Sequence, residues 1–335
     1  SAKLNHTRPE LLYSRSQTSI TQHQFVNAAE HIAKAEKAGG DAYTVCLLRF
    51  DVLMELGKFA HALKSLESLK DKSSFDYLVR RAKWEDHSGR LDKAIVLMEE
   101  AFEKVKDKNK GLYNWVRSNL GDMYGHAGRV EEAYRAYLDV LEKDPADLYC
   151  LKGIAWIAYS HDANTNEAKR ILQYILSQTS MPDLKLMLAD IAASENDEAG
   201  KKKWQHEFVS TVTRPEYGDM YNKYLISLYT ENVREYGKAY AIASKEMNNR
   251  FTPETCSWMA WVEYKRGNNQ KALELARAFV HNKTFEPDAL ISTAFIYAAN
   301  GKKAEAKKLL EECLESEFEI GPLQTKEIKE KLALL

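Results

Sequence analysis

The sequence predicts an all-helical chain assembled from repeating helix–turn–helix units, and three observations carry that reading. Glycines recur at Gly57, Gly89, Gly128, Gly267 and Gly301, at intervals of 32, 39, 139 and 34 residues, the long one close to four repeats. A second series of small residues keeps the same phase: Ala62, Ala94, Ala133, Ala168, Ala239, Ala272 and Ala306, at intervals of 32, 39, 35, 71, 33 and 34. Two interleaved series in one phase mark an internal repeat of about 34 residues, spanning roughly residues 22–317. Only seven prolines interrupt the 335 residues, as an all-helical chain requires, because proline breaks a helix interior.

The clearest unit is residues 114–145, NWVRSNLGDMYGHAGRVEEAYRAYLDVLEKDP. Gly121 is small where two helices approach closely. Gly128 supplies a permissive backbone for the turn between them. Ala133 is small at the crossing on the second helix and is expected to be buried, as is Ala272. Tyr124 and Tyr137 fill the space above and below the crossing. Pro145 stops the second helix and pushes the residue before it out of helical geometry. This order of residues resembles one unit of the tetratricopeptide repeat, with Arg117 standing where that pattern has Trp. The resemblance implies a right-handed α-solenoid (superhelix) of about eight such units with a C-terminal capping helix. It also implies a concave face, lined by the first helix of each unit, that holds an extended peptide or a partner helix.

Taken in order, residues 1–20 have little periodicity and read as an extended or partly helical lead-in. Residues 22–38 read as the second helix of an incomplete first repeat, with Phe25, Ala28, Ala29 and Ile32 on one face and Gly39-Gly40 at its end. Full repeats follow at residues 43–70, 75–108, 114–145, 148–178, 182–212 and 217–248. The longer connection Lys104–Lys110 accounts for the interval of 39. The turn His161–Asn166 lacks glycine, and residues 182–212 are the most degenerate unit. Pro253 and Pro287 open the last two repeats at the first helical turn, where proline is tolerated. Ile328 and Leu332 give residues 323–335 an apolar side, as a helix closing the open core face of the last repeat needs. The expected organisation is therefore a lead-in with an incomplete repeat over 1–40, the array over 41–317 and a capping helix over 318–335.

Composition narrows the function classes. The chain is 44% hydrophobic and 29% charged, with 48 basic and 49 acidic residues. The balance is also local, with 23 of each sign in residues 1–150, so no basic footprint for nucleic acid emerges. No apolar run reaches membrane-spanning length. Cys46, Cys150, Cys256 and Cys313 have neither paired nor metal-type spacing and read as small core residues. The chain begins at Ser1 rather than Met, as a processed or trimmed product would, with any signal peptide already removed.

No nucleophile elbow, phosphate loop or paired-histidine zinc motif is present, so no catalytic residues, cofactor or metal are assigned. His87 and His126 occupy equivalent positions, two residues before a turn glycine, and are the only weak metal candidates. The expected groove carries two characters. Arg80, Lys83, Asn119 and Asp122 are polar. Trp156, Tyr159, Trp258, Trp261, Tyr264 and Phe295 are aromatic, the residue type that dominates interface energy. The Trp–Tyr pairs Trp156/Tyr159 and Trp261/Tyr264 are each three apart on one helix face, and at least two of these four are expected to be partly exposed. The family's clamp for a peptide carboxylate would fall on Leu47, Asn119 and Lys152, which do not supply the full Lys–Asn–Arg set. The expected function is a non-catalytic scaffold for a protein or peptide partner. A small-molecule or glycan binder using the same aromatic groove is the alternative. Residues 151–172 also resemble stand-alone bacterial repeat proteins, which tilts the expected location toward the periplasm or cell surface over the cytoplasm.

Overall fold

The computed structural model describes residues 8–335. Nineteen α-helices occupy these residues, without a strand among them. In chain order they are α1 (Pro9–Thr21), α2 (Phe25–Lys37), α3 (Ala42–Glu55), α4 (Phe59–Glu67), α5 (Phe75–His87), α6 (Leu91–Val105) and α7 (Lys110–His126). Then come α8 (Val130–Lys143), α9 (Leu148–Ser160), α10 (Thr165–Gln178), α11 (Asp183–Ser194), α12 (Glu198–Val212) and α13 (Asn222–Glu231). The last are α14 (Tyr236–Asn249), α15 (Pro253–Lys265), α16 (Asn269–Leu275), α17 (Pro287–Ala299), α18 (Lys303–Leu314) and α19 (Glu317–Ala333). A π-helical segment, Ala276–Val280, prolongs α16.

Odd-numbered helices open each repeat and even-numbered ones close it, and the two kinds start differently. Asp41, Ser74, Asn109, Asp147 and Thr252 cap the first helices α3, α5, α7, α9 and α15, each side chain accepting from a backbone N–H in the first turn. Second helices instead follow a tight turn whose residue lies in the left-handed region: His23, Gly57, Gly89, Gly128, Ala163, Asn196, Arg234, Gly267 and Gly301. The backbone there closes orphan helix carbonyls, as when Lys58 N donates to Leu53 O and Arg129 N to Tyr124 O. Five residues past eight of these nine turns stands an alanine of the crossing series or Ala28, and all eight are fully buried. The ninth turn, at Asn196, is followed by Lys201 in the degenerate repeat.

Of the two forms expected for the lead-in, extended or partly helical, the described part is helical from Pro9 to Thr21, and α1 packs on α2 as the first helix of a pair. Its crossing is made by Ser16, whose hydroxyl donates to Ala28 O at 3.2 Å. A serine at a helix crossing hides the helix from a reading based on apolar periodicity. The part of the lead-in over residues 1–7 lies outside the described residues.

The helices gather into two compact bodies. One holds α1–α5 with α13–α17, and the other α6–α12 with α18 and α19. In the first body the repeats do not touch only their sequence neighbours, as a simple stack would. The loop before α13 rests on the α1–α2 turn, where Asp219 N donates to Gln22 O (2.9 Å) and Gln22 Nε2 donates to Glu216 O across 194 residues of sequence. The loop before α15 rests on the α3–α4 turn: a Cβ on Gly57 would lie 2.7 Å from Phe251 O. The loop before α17 rests on Gly89, where a Cβ would lie 2.7 Å from the Phe285 ring. Three successive turns therefore meet three successive loops.

In the second body, α19 does more than cover the last repeat. It packs on α18 and also on the first helices α7, α9 and α11. All four cysteines are free and buried, and burial pushes the Cys256 thiol up to about 12.

Candidate functional site

The first-helix residues of the first body form two sets. On α3 and α5 the side chains are charged and paired. Arg80 donates to Asp51 at 2.8 Å and lies 3.5 Å from Asp76, and Lys83 donates to Glu55 at 2.8 Å. Arg250, just past α14, reaches the same Glu55 at 3.5 Å and Glu246 at 3.2 Å. Burial works to raise the Glu55 carboxyl, but Lys83 and Arg250 outweigh it and hold the group below the usual carboxylate range. Asp51 goes the other way: its burial outweighs Arg80 and the carboxyl is raised. Glu246 is only 1% exposed. Burial raises its carboxyl although Asn222 donates to it at 2.7 Å and Arg250 sits alongside.

On α15 and α17 the set is aromatic. The Trp261 indole N–H donates to Glu231 of α13 at 2.7 Å, and Lys265 donates to the other oxygen of that carboxylate at 2.7 Å. The Lys265 ammonium lies 4.5 Å from the Trp261 ring centre, a cation–π distance. Tyr264 and Phe295 stand 5.2 and 6.1 Å from the same ring. Trp258, one helical turn earlier, carries the Arg250 guanidinium at 5.3 Å. Trp258, Trp261, Tyr264 and Phe295 all remain partly exposed. Three consecutive first helices thus present a Glu–Trp–Phe row with one indole at its centre.

In the second body the expected groove residues are engaged. Tyr159 is buried rather than partly exposed, because α11 packs over it and its hydroxyl donates to Asp190 O at 3.3 Å. Burial, then the Asp190 charge, pushes its phenol up to about 12. Trp156 is partly buried under α19, and its indole N–H donates to Phe318 O at 2.9 Å. Asp122 accepts from the Tyr137 hydroxyl at 2.6 Å and from that of Tyr149. Asn119 turns back onto its own helix and donates to Trp115 O at 2.6 Å. Lys152 is paired with Asp183 at 2.8 Å.

The two histidines have separate surroundings. His87, in the first body, stacks on Phe59 with ring centres 3.8 Å apart, while His126, in the second, is exposed. No group of three or more His, Cys, Asp or Glu able to hold a metal ion occurs among the described residues.

Residues 288–319, which contain α17 and α18, match the tetratricopeptide repeat family. That stretch is a tetratricopeptide repeat. Solved structures share the fold at low identity. The apo form of the quorum sensor NprR from B. thuringiensis is 12% identical over 91% of this chain and 86% of its own, with a TM-score of 0.51. A tetratricopeptide repeat protein from Parabacteroides merdae is 14% identical over 79% of this chain and 99% of its own, with a TM-score of 0.43. No curated protein matches the chain in sequence. Tetratricopeptide repeat folds in general serve as scaffolds for protein partners; in this chain no helix among the described residues is long and apolar enough to cross a membrane.

Sequence reasoning missed Glu55, Glu246 and Arg250, because a repeat pattern says nothing about contacts 195 residues apart such as Arg250–Glu55. This seam of the repeat protein also carries a pH response. His23 has its pKa lowered by burial and then by Arg250, against Glu55 and Asp219. His87 is lowered by burial, against Glu254, Asp86 and Glu55, with Lys83 adding to the shift. A lowered folded pKa means that the unfolded chain binds protons first. Stability is therefore lost as pH falls below about 6.5 toward the folded values. A His23→Asn, His87→Gln variant is expected to lose less stability than the parent between pH 7.5 and 5.5. Asn suits the left-handed backbone at position 23. Urea midpoints at the two pH values measure it, and identical slopes for the two proteins would refute it.

Proposed function

We propose that this protein is a non-catalytic scaffold that holds a protein or peptide partner against the first-helix aromatics of its first body. The observation that carries the reading is the Trp261 cluster. Its rings are partly exposed on α15 and α17, whereas of the corresponding pair in the second body Tyr159 is buried and Trp156 lies under α19. A core needs large residues between helices. It gains little from an indole fixed at its edge by Glu231 and Lys265 with part of its face left to water. Aromatic rings pre-positioned in this way bind at low entropic cost. Arg80 and Lys83, paired with acids on α3 and α5, supply charge for orientation more than for affinity, and Arg250, which shares Glu55 with Lys83, lies over Trp258.

Trp261→Ala is expected to weaken partner binding by about 2 kcal/mol or more, roughly thirtyfold in Kd, if the indole is a hot spot. The helical signal and melting temperature should change little. A pull-down with the intact protein beside Trp261→Ala and Phe295→Ala tests the reading. Unchanged capture of the same partner by both folded variants would overturn it.

A further inference from the structure

The Trp261 cluster carries a chemistry that exposed aromatic rings alone do not. Trp261 and Phe295 stand nearly perpendicular, at 80° with ring centres 6.1 Å apart, and Tyr264 is tilted 43° to the indole at 5.2 Å. Rings inclined in this way form a corner rather than a stack, and an aromatic face attracts a cation. A carboxylate completes the corner. Glu231 Oε1 accepts from the indole N–H at 2.7 Å, which turns the other oxygen, Oε2, toward Lys265. Aromatic rings from α15 and α17 and one acid from α13 thus make a box suited to an ammonium group.

The box already holds one. The Lys265 ammonium lies 4.5 Å from the indole ring centre and 2.7 Å from Glu231 Oε2. This cation is held differently from the one over Trp258. There the Arg250 guanidinium is largely buried and is shared by Glu55 and Glu246. Lys265 meets one carboxylate among the described residues, and 27% of its side chain and 36% of that of Glu231 are exposed. An ion pair this open to water adds little to stability. A lysine that leaves it regains its hydration and the freedom of a flexible four-carbon stem. Exchange of Lys265 for another ammonium group is therefore cheap.

We propose that the Trp261 box recognises an ammonium head on the partner, a lysine side chain or its methylated form, which takes the place of Lys265 between the indole face and Glu231. The inference rests on the scaffold reading and names the side chain that its aromatic face selects. The alternative, an apolar anchor, would be served by the three rings alone. It would gain nothing from a carboxylate, and a lysine lying on the indole would stand in its way. Glu231 is the residue that separates the two chemistries.

The probes are Nα-acetyl-lysine methylamide, its trimethyllysine counterpart and the neutral norleucine equivalent, each titrated into the full-length protein. The indole N–H resonance of Trp261, assigned by its loss in Trp261→Ala, reports binding. Lys265→Ala should bind the lysine probe about tenfold more tightly than the parent, because the internal competitor is gone. In that background the norleucine probe should bind about tenfold more weakly than the lysine probe, and adding Glu231→Gln should remove most of the difference. Tighter binding of the trimethyllysine probe would make methylated lysine the source, and tighter binding of the lysine probe the unmodified side chain. Circular dichroism and melting temperature check that each variant is folded. Equal binding of the neutral and charged probes, or no response to either ammonium probe in folded Lys265→Ala, would overturn the proposal. The scaffold reading fails separately. Partner capture that depends on Trp261 while no ammonium probe binds would keep the scaffold and remove the box. Ammonium binding with capture indifferent to Trp261 would do the opposite.

Discussion

Replacing Tyr137 with alanine will lower stability by about 3–5 kcal/mol, the range for truncating a large buried aromatic residue. The side chain is 3% exposed and is clamped between two glycines on successive first helices. A Cβ on Gly121 of α7 would lie 2.5 Å from its ring, and one on Gly153 of α9 would lie 2.6 Å away. The ring therefore fills the space that joins one repeat to the next, and both glycines exist to admit it. Its hydroxyl donates to Asp122 at 2.6 Å. Tyr137→Phe keeps the ring and removes only that bond to a carboxylate, so its cost should be smaller, about 1.5–3 kcal/mol. Denaturant titration of the two variants separates packing from hydrogen bonding. Equal losses would show that the ring contributes little beyond its hydroxyl.

Arg250→Met should be nearly as damaging, at about 3–5 kcal/mol, for an electrostatic reason. Arg250 is 15% exposed and serves Glu246 and Glu55 together. Removing one partner of a buried ion pair leaves a charge without compensation, which costs more than the pair itself contributes. The pH dependence identifies the cause. The Glu246 carboxyl is already raised by burial, and loss of the guanidinium raises it further. A carboxyl whose folded pKa lies above its unfolded value binds protons first in the folded state, so it favours folding as pH falls toward that pKa. The deficit of Arg250→Met should therefore shrink on acidification from pH 7 to 5, and adding Glu246→Gln should recover part of it at neutral pH. A deficit independent of pH would point to lost packing against Phe25 and Trp258, whose rings lie 5.0 and 5.3 Å from the guanidinium.

The family and the helix pairs were legible in the residues because a repeat writes the same local physics many times. Gly57, Gly89, Gly128, Gly267 and Gly301 are the turns whose φ of 71° to 86° glycine meets without strain. The crossing alanines mark where two helix axes come close, and their full burial follows from that geometry. The glycine series does not mark the turns with the same backbone and a different side chain. His23, Ala163, Asn196 and Arg234 take φ of 52° to 60° in the same role, held there by the helices on either side. Helix α1 was hidden for a related reason, since Ser16 is small enough for the crossing but not apolar.

The candidate site was legible in kind and not in place. Helical spacing put Trp258, Trp261 and Tyr264 on one face of α15, and all three side chains are partly exposed. The equivalent spacing of Trp156 and Tyr159 led to a different outcome, because α11 covers one and α19 the other. Local sequence determines which residues a helix presents on each side. Only the tertiary structure decides what arrives to cover that side. The pairings that do so here, Arg250 with Glu55 and Phe318 with Trp156, join residues 195 and 162 positions apart, a distance over which a 34-residue pattern carries no information.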